Sequence, residues 1–387
     1  MDVVIVEALR TPMGSFMGAL ATVSAPQLGA CVVAELLARS AIAPADVDEL
    51  YMGNVLPAGV GQAPARQAAL LGGLDHRVPC TTINKVCGSG MKSVMLAVSQ
   101  LRQGEGRVMI AGGMESMSRA PYLIDKARSG LRMGHHSLLD HMFLDGLQDA
   151  YEGQLMGHYA QHMADRHGLT RSAMDEYAIR SLERARAAID SGGFERELVP
   201  VKAKEPRLLA VDEQPGRASI DKIAQLKPAF GEGGTITAAN ASSISDGAAG
   251  LLLMRRDEAQ RRGLRPLALI RGYASHAAAP ADFTTAPIGA VNMLLERLQW
   301  RVDEVDLFEV NEAFAMVAML AMQGLGIRHE QLNVNGGACA LGHPLGASGA
   351  RILVTLTHAL RARGLRRGVA TLCIGGGEAT AIAVECE

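Results

Sequence analysis

Apolar residues along the chain follow two alternating rhythms. Short β-branched or apolar runs at 3–6, 49–55, 81–86 and 107–111 read as strands. Between them, apolar residues three or four positions apart predict helices around 28–37, near 66–71, and from Met91 through Val94, Met95, Val98 and Leu101. Gly104 marks the stop of that last helix, and the strand after it is expected to end in Gly112-Gly113. Strands alternating with helices predict a predominantly parallel sheet with helices on its faces. From about 114 to 238 the rhythm is lost, charged residues rise, and Met and His are scattered. Helical patterns remain at 156–166 and 171–189, while 202–220 reads as an irregular, exposed excursion. The whole region is an insertion that covers something, not a third sheet.

The first rhythm then returns. Residues 305–308 echo 47–51, and a strand at 332–335 leads through a glycine-rich loop to Gly346-Ala347-Ser348-Gly349. A helix follows with Ile352, Leu353, Leu356, Ala359 and Leu360 on one face and Gly364 as its stop. The strand 369–373 ends in Ile374-Gly375-Gly376-Gly377. The first half has the same order: strand, Gly-Ser-Gly, helix, glycine stop, strand, Gly-Gly. Two related halves bring equivalent strand ends together, and sheets of this kind bind ligands at the carboxyl ends of strands. Cys87, the His343 loop and Cys373 all fall just past predicted strand ends.

Composition narrows the class. The 387 residues suffice for two or three domains, and 48% hydrophobic with only 4% aromatic suits close helix–sheet packing. A net charge of −2 gives no reason to expect a nucleic-acid partner. The apolar runs are too short for a bilayer, so no membrane partner is expected. Six cysteines lie far apart with no Cys-x-x-Cys pair, which argues against a disulfide framework or structural zinc; no metal is expected. The chain opens on a strand pattern without a secretory signature and closes on neither a peroxisomal nor a prenylation address, so a cytoplasmic location is expected.

Chemistry concentrates in a few places. In Asn84-Lys85-Val86-Cys87-Gly88-Ser89-Gly90 a strand delivers Cys87 to the first turn of a helix, where free N–H groups and the helix dipole stabilise a thiolate. A lone cysteine in apolar surroundings is equally a small buried hydrophobe. His343, in Gly342-His343-Pro344, is placed by loop geometry, and an imidazole can take a thiol proton near neutral pH. Cys373 before glycines suits an acid/base that removes and returns a proton, with the glycine N–H groups facing an oxyanion. Asn311 follows a buried-strand pattern and could fix a water or an enolate oxygen. Gly88-Ser89-Gly90-Met91-Lys92-Ser93 lacks the spacing of a P-loop, His329-Glu330 lacks the second histidine of a zincin, and no dinucleotide fingerprint is present. Two cysteines, a histidine, an amide and glycine N–H groups suit carbon–carbon bond making or breaking by acyl transfer.

Four blocks, Asn84-Lys85-Val86-Cys87-Gly88-Ser89-Gly90, Asn311-Glu312-Ala313-Phe314, Gly342-His343-Pro344 and Cys373-Ile374-Gly375-Gly376-Gly377, occur in the order of the signature blocks of the thiolases. The chain resembles that family end to end, including Arg10-Thr11-Pro12 and Gly112-Gly113-Met114-Glu115-Ser116-Met117. The resemblance implies a five-layered αβαβα fold with two similar halves. It places an N-terminal half at 1–117 plus 239–266, an inserted loop domain at 118–238 for coenzyme A binding and tetramerisation, and a C-terminal half at 267–387. It implies that Cys87 is acylated, that His343 activates it and shares an oxyanion hole with a water held by Asn311, and that Cys373 handles the α-proton. The resemblance further implies that the N–H groups of Cys87 and Gly375 form the second hole, and that Leu147, Met156, Ala241, Ser242 and Phe314 lie near the pantetheine arm. Within the family the likeness is to short-chain acetyl-CoA acetyltransferases: ping-pong condensation of two acetyl-CoA to acetoacetyl-CoA and coenzyme A, no tightly bound cofactor, and a homotetramer. Two departures stand out: Leu155 where biosynthetic members usually have His, and a shortening near Pro215-Gly216-Arg217. The alternatives are a broader 3-ketoacyl-CoA thiolase of β-oxidation, a carrier-protein-dependent ketoacyl synthase, and a non-catalytic acyl-CoA-binding relative.

Overall fold

The computed structural model describes residues 1–203 and 208–387. The first half runs through β1 (Val3–Arg10), α1 (Ala25–Ser40), β2 (Glu49–Gly53), α2 (Pro64–Leu71), β3 (Cys80–Ile83), α3 (Ser89–Gln103) and β4 (Val108–Ser116). A long insertion holding α4 (Met156–Arg166) and α5 (Arg171–Asp190) precedes β5 (Ser245–Arg255). The second half follows with β6 (Ala268–Ala277), α6 (Ala286–Leu298), β7 (Leu307–Val310), α7 (Ala315–Leu325), α8 (Leu345–Arg363), β8 (Arg367–Ile374) and β9 (Glu378–Glu385).

The repeat read from the glycine pattern is present in the sheet order. The first half pairs as β1-β5-β4-β2-β3 and the second as β6-β9-β8-β7, the two joined where Val3, Val4 and Ile5 pair with Ile270, Leu269 and Ala268. In the second half the place of β3 is taken by Leu332, which bridges Phe308 in parallel. The expected strand at 332–335 shrinks to that one bridge. Asn333 turns away at φ 45° and continues the pairing with its side chain, accepting from Val310 N at 2.9 Å and donating to Val310 O at 2.8 Å.

The expectation of a predominantly parallel sheet is not met. Parallel pairing is confined to β2–β3, β2–β4 and β7–β8, while β1–β5, β4–β5, β1–β6, β6–β9 and β8–β9 are antiparallel. β9 returns from β8 through a tight glycine turn, and a hairpin can only be antiparallel. β5 enters from the insertion and runs antiparallel to both of its neighbours, β1 and β4.

α3 and α8 lie between the two parts of the sheet, with Val94, Val98, Ile352 and Leu356 packed against Ala111 and Leu251 on one side and Leu372 and Ile382 on the other. α1 and α2 cover the outer face of the first half, α6 and α7 that of the second. Five layers result. The central contact is tight: the Gly346 carbonyl oxygen would lie 2.8 Å from a Cβ on Gly53, 2.8 Å from one on Gly90 and 1.8 Å from one on Gly113. Gly112-Gly113 therefore lies inside β4, where backbones meet, and not at its end as expected.

The insertion packs on the second half, where Ala160 and Met163 of α4 and Met174 and Tyr177 of α5 join the α6–α7 core. Within 202–220, four residues (204–207) lie outside the described ones, and the remainder is less exposed than expected. Asp212 and Pro215 are buried, and Asp212 pairs with the fully buried Arg10 at 2.7 Å. Among the described residues no helix is long and apolar enough to cross a membrane.

Candidate active site

β3 ends at Ile83, three residues earlier than its pattern predicted, and a tight turn takes over. Asn84 Oδ1 accepts from Val86 N at 2.9 Å, while Ser89 Oγ accepts from Lys85 N at 2.8 Å and donates to Val86 O at 2.6 Å. These bonds hold Val86, a β-branched residue, at φ 46°. Cys87 comes to rest one residue before Gly88, the N-cap of α3, and not within the first turn. In the second half the equivalent position belongs to His343, one residue before Pro344, the N-cap of α8. Two related helix starts thus deliver a thiol and an imidazole. Cys373 is the penultimate residue of β8, and Gly375 follows in the turn to β9.

Cys87, His343, Cys373 and Gly375 all line one cavity of about 230 Å³. Leu147, Met156, Ala241, Ser242 and Phe314 line the same cavity. Asn311 does not; it is fully buried, its Oδ1 accepting from Arg351 at 3.4 Å and its Nδ2 having no partner among the described residues. The cavity also has walls that sequence reasoning missed. Phe143 and Gly146 come from a π-helical turn, Phe143–Leu147, of the kind that often marks a functional site. Phe230 and Phe283 stand edge-on to Phe314 with ring centres 6.2 and 6.4 Å away. The chain has only seven phenylalanines, so their scarcity was the signal that could have found them.

Burial dominates the electrostatics. It pushes the Cys87 thiol up to about 11, against the pull of the Gly375 N–H, so the helix start does not by itself give a thiolate. Cys373 is raised further, by burial and then by Cys87. His343 is held down to about 3 by burial and by Arg351. Its Nδ1 lies 2.5 Å from Ser348 Oγ, which donates to Pro344 O at 2.8 Å and so accepts the Nδ1 proton. Nε2 keeps its lone pair, buried and without a partner among the described residues. At rest the cavity is lined by a neutral imidazole and two neutral thiols.

Two buried carboxyls frame it. Glu115 accepts from Val55 N at 2.9 Å, Leu56 N at 3.2 Å, Gly346 N at 2.8 Å and Asn54 Nδ2 at 2.6 Å, and burial pushes it up to about 7. It thereby fastens the start of α8 to the first half. Glu312 accepts from Tyr177 at 2.9 Å and Ser181 at 2.7 Å, tying α5 to the residue next to Asn311. Among the described residues no group of His, Cys, Asp and Glu is arranged to hold a metal ion.

Family models place this geometry. Residues 3–257 match the thiolase N-terminal domain and residues 264–386 the thiolase C-terminal domain. The chain belongs to the thiolase family. An acetyl-CoA acetyltransferase of Cupriavidus necator is 47% identical to this thiolase over 389 residues, covering 99% of each chain. One from Escherichia coli is 48% identical over 387 residues, covering 99% of this chain and 98% of its own. Acetyl-CoA acetyltransferase 2 of Arabidopsis thaliana is 48% identical over 390 residues, covering 99% and 97%. The crystal structure of the Acat5 thiolase from Ascaris suum in complex with coenzyme A superposes on this thiolase with a TM-score of 0.95 at 41% identity, covering 100% of both chains.

Proposed function

We propose that this thiolase is an acetyl-CoA C-acetyltransferase, an acyltransferase that condenses two acetyl-CoA to acetoacetyl-CoA and coenzyme A and runs the reverse thiolysis. The observation that carries the reading is that two sulfurs and one imidazole, far apart in sequence, line a single apolar cavity. His343 Nε2 takes the Cys87 proton as sulfur attacks the thioester carbonyl, and returns it to the departing coenzyme A thiolate. The acyl group is then held on Cys87. Cys373 first passes its proton to His343, then as thiolate removes an α-proton from the second acetyl-CoA; the carbanion attacks the acyl carbonyl and expels Cys87, which takes its proton back from His343. The N–H groups of Cys87 and Gly375 receive the oxyanion of the acyl group. His343, with a water on Asn311 Nδ2, receives that of the enolate. Substrates are taken as free thioesters, with Leu147, Met156, Ala241, Ser242 and Phe314 along the pantetheine arm and no tightly bound cofactor.

The division into 1–117 plus 239–266, 118–238 and 267–387 belongs to the same proposal, as does a cytoplasmic homotetramer. Exposed Tyr122, Ile124, Leu131, Met133 and Leu138 in the insertion support assembly through that region. Leu155, which lines the cavity, makes acyl length the property to measure. Thiolysis by the purified enzyme should give a higher kcat/KM with acetoacetyl-CoA than with a long-chain 3-ketoacyl-CoA. The opposite order would favour the broader β-oxidation thiolase.

A further inference from the structure

The turn carrying Cys87 runs along the turn carrying Gly375 through three successive contacts between the halves. A Cβ on Gly88 would lie 2.4 Å from Ile374 Cδ1, and one on Gly375 would lie 3.7 Å from Val86 Cγ1. At the outer end Lys85 Nζ meets Glu378 Oε2. Across this seam Gly375 and Cys87 line the same cavity, and the Gly375 N–H pulls the Cys87 thiol down against burial. Both turns are made of residues in unusual backbone conformations, Val86 at φ 46° on one side and Gly376 and Gly377 at φ 91° on the other.

We propose that Lys85 and Glu378 are a positioning pair that sets the distance from the Gly375 N–H to Cys87, and with it the width of the oxyanion site they form. The side chains are 24% and 38% exposed, so the pair contributes little to global stability. Its effect is geometric. Lys85 is two residues before the nucleophile and Glu378 three residues after the oxyanion donor, so drawing them together closes the seam where charge develops. The catalytic consequence rests on the function proposed above.

Three variants test it: Lys85→Gln, Glu378→Gln, and the exchange Lys85→Glu with Glu378→Lys. Each single change should lower kcat for acetoacetyl-CoA thiolysis about tenfold, with KM within about twofold, because misplaced donors weaken the transition state more than substrate binding. The exchange should regain most of the loss. Alkylation of Cys87 by iodoacetamide without substrate supplies a reading that needs no turnover. Both single variants should slow it, since both open the seam. Two charges acting through space would instead move it in opposite directions, Lys85→Gln slowing and Glu378→Gln accelerating. That pattern, or unchanged kcat and alkylation, overturns the pair. A wild-type enzyme that alkylates normally but does not turn over acetoacetyl-CoA overturns the proposed function, while the alkylation rates still decide the seam.

Discussion

Ser348 Oγ sits 2.5 Å from His343 Nδ1 and donates its own hydrogen bond to Pro344 O at 2.8 Å. Because the hydroxyl has already donated, it can only accept from the ring, and the imidazole tautomer is fixed with its lone pair on Nε2. Ser348 lies in the first turn of α8, so the helix itself aims the base.

Replacing Ser348 with Ala leaves Nδ1 without an acceptor and frees the ring to take the other tautomer. The expected result is a fall in kcat of about 10- to 100-fold with KM for both thioesters nearly unchanged. Steady-state kinetics check it. A change confined to KM would mean that the serine does not orient the base.

The two thiols should separate by step. Cys87→Ser should lose nearly all acyl transfer, since a hydroxyl in this buried site is a far weaker nucleophile. Cys373→Ser should still form an acyl group on Cys87 but fail to condense it. Trapping labelled acetyl-CoA on the protein, followed by peptide mapping, reads both. A labelled Cys87 in active Cys373→Ser enzyme would remove Cys373 from the proton transfer.

Cys87 at about 11 and His343 at about 3 fix the sign of a pH experiment. Over pH 7 to 9 both groups remain neutral in the free enzyme, and the thiolate fraction rises about tenfold for each pH unit below the thiol pKa. Alkylation of Cys87 in the absence of substrate should therefore climb through that range without a plateau. A rate already level at pH 7 would mean that a thiolate–imidazolium pair exists at rest.

Much of this site was legible in the chain because its chemistry sits at glycine-bounded helix starts. Gly88 before α3 and the Gly342–Pro344 loop before α8 mark where a helix starts, and each start has a reactive residue one position ahead of the N-cap. The strand directions were not legible. Nothing in the residues of β5 distinguishes an antiparallel strand from a parallel one when both of its faces are buried. The equivalent of β3 in the second half was misread because Asn333 replaces backbone pairing with side-chain bonds. Arg351, to which Asn311 turns its oxygen, was invisible at 40 residues' distance. Phe230 and Gly146 enter the cavity through the insertion, whose local pattern carries no information about what it covers.

Leu345 lines the cavity beside Cys87 and packs with Leu56, Met117 and Met142. A Cβ on Gly146 would lie 2.9 Å from Leu345 Cδ1, so Gly146→Ala should press into this wall and narrow it. Leu345→Ala should widen it, at a stability cost of about 2–5 kcal/mol for a buried leucine. Relative kcat/KM for five- and six-carbon 3-ketoacyl-CoA against acetoacetyl-CoA should fall in the first variant and rise in the second. Movement in the same direction in both would place the acyl chain elsewhere.

Arg10 joins the insertion to β1 more firmly than any apolar contact there suggests. Its guanidinium is fully buried, bonds Asp212 twice at 2.7 and 2.8 Å, and meets Glu197 at 2.5 Å. The two carboxylates raise its already high pKa despite burial, so the charge is permanent. Removing one member of such a buried cluster strands its partners. Asp212→Asn leaves Arg10 short of one charge, whereas Arg10→Met leaves two carboxylates facing each other without a cation. The second should be the worse, at about 3–5 kcal/mol of destabilisation. Urea unfolding monitored separately by tryptophan fluorescence and by far-ultraviolet dichroism checks this, since the single Trp300 lies in the second half, away from the clamp. Arg10→Met should lower the midpoint in both signals more than Asp212→Asn does. Equal midpoints in wild type and Arg10→Met would show that the insertion is held by its contacts with α6 and α7 alone.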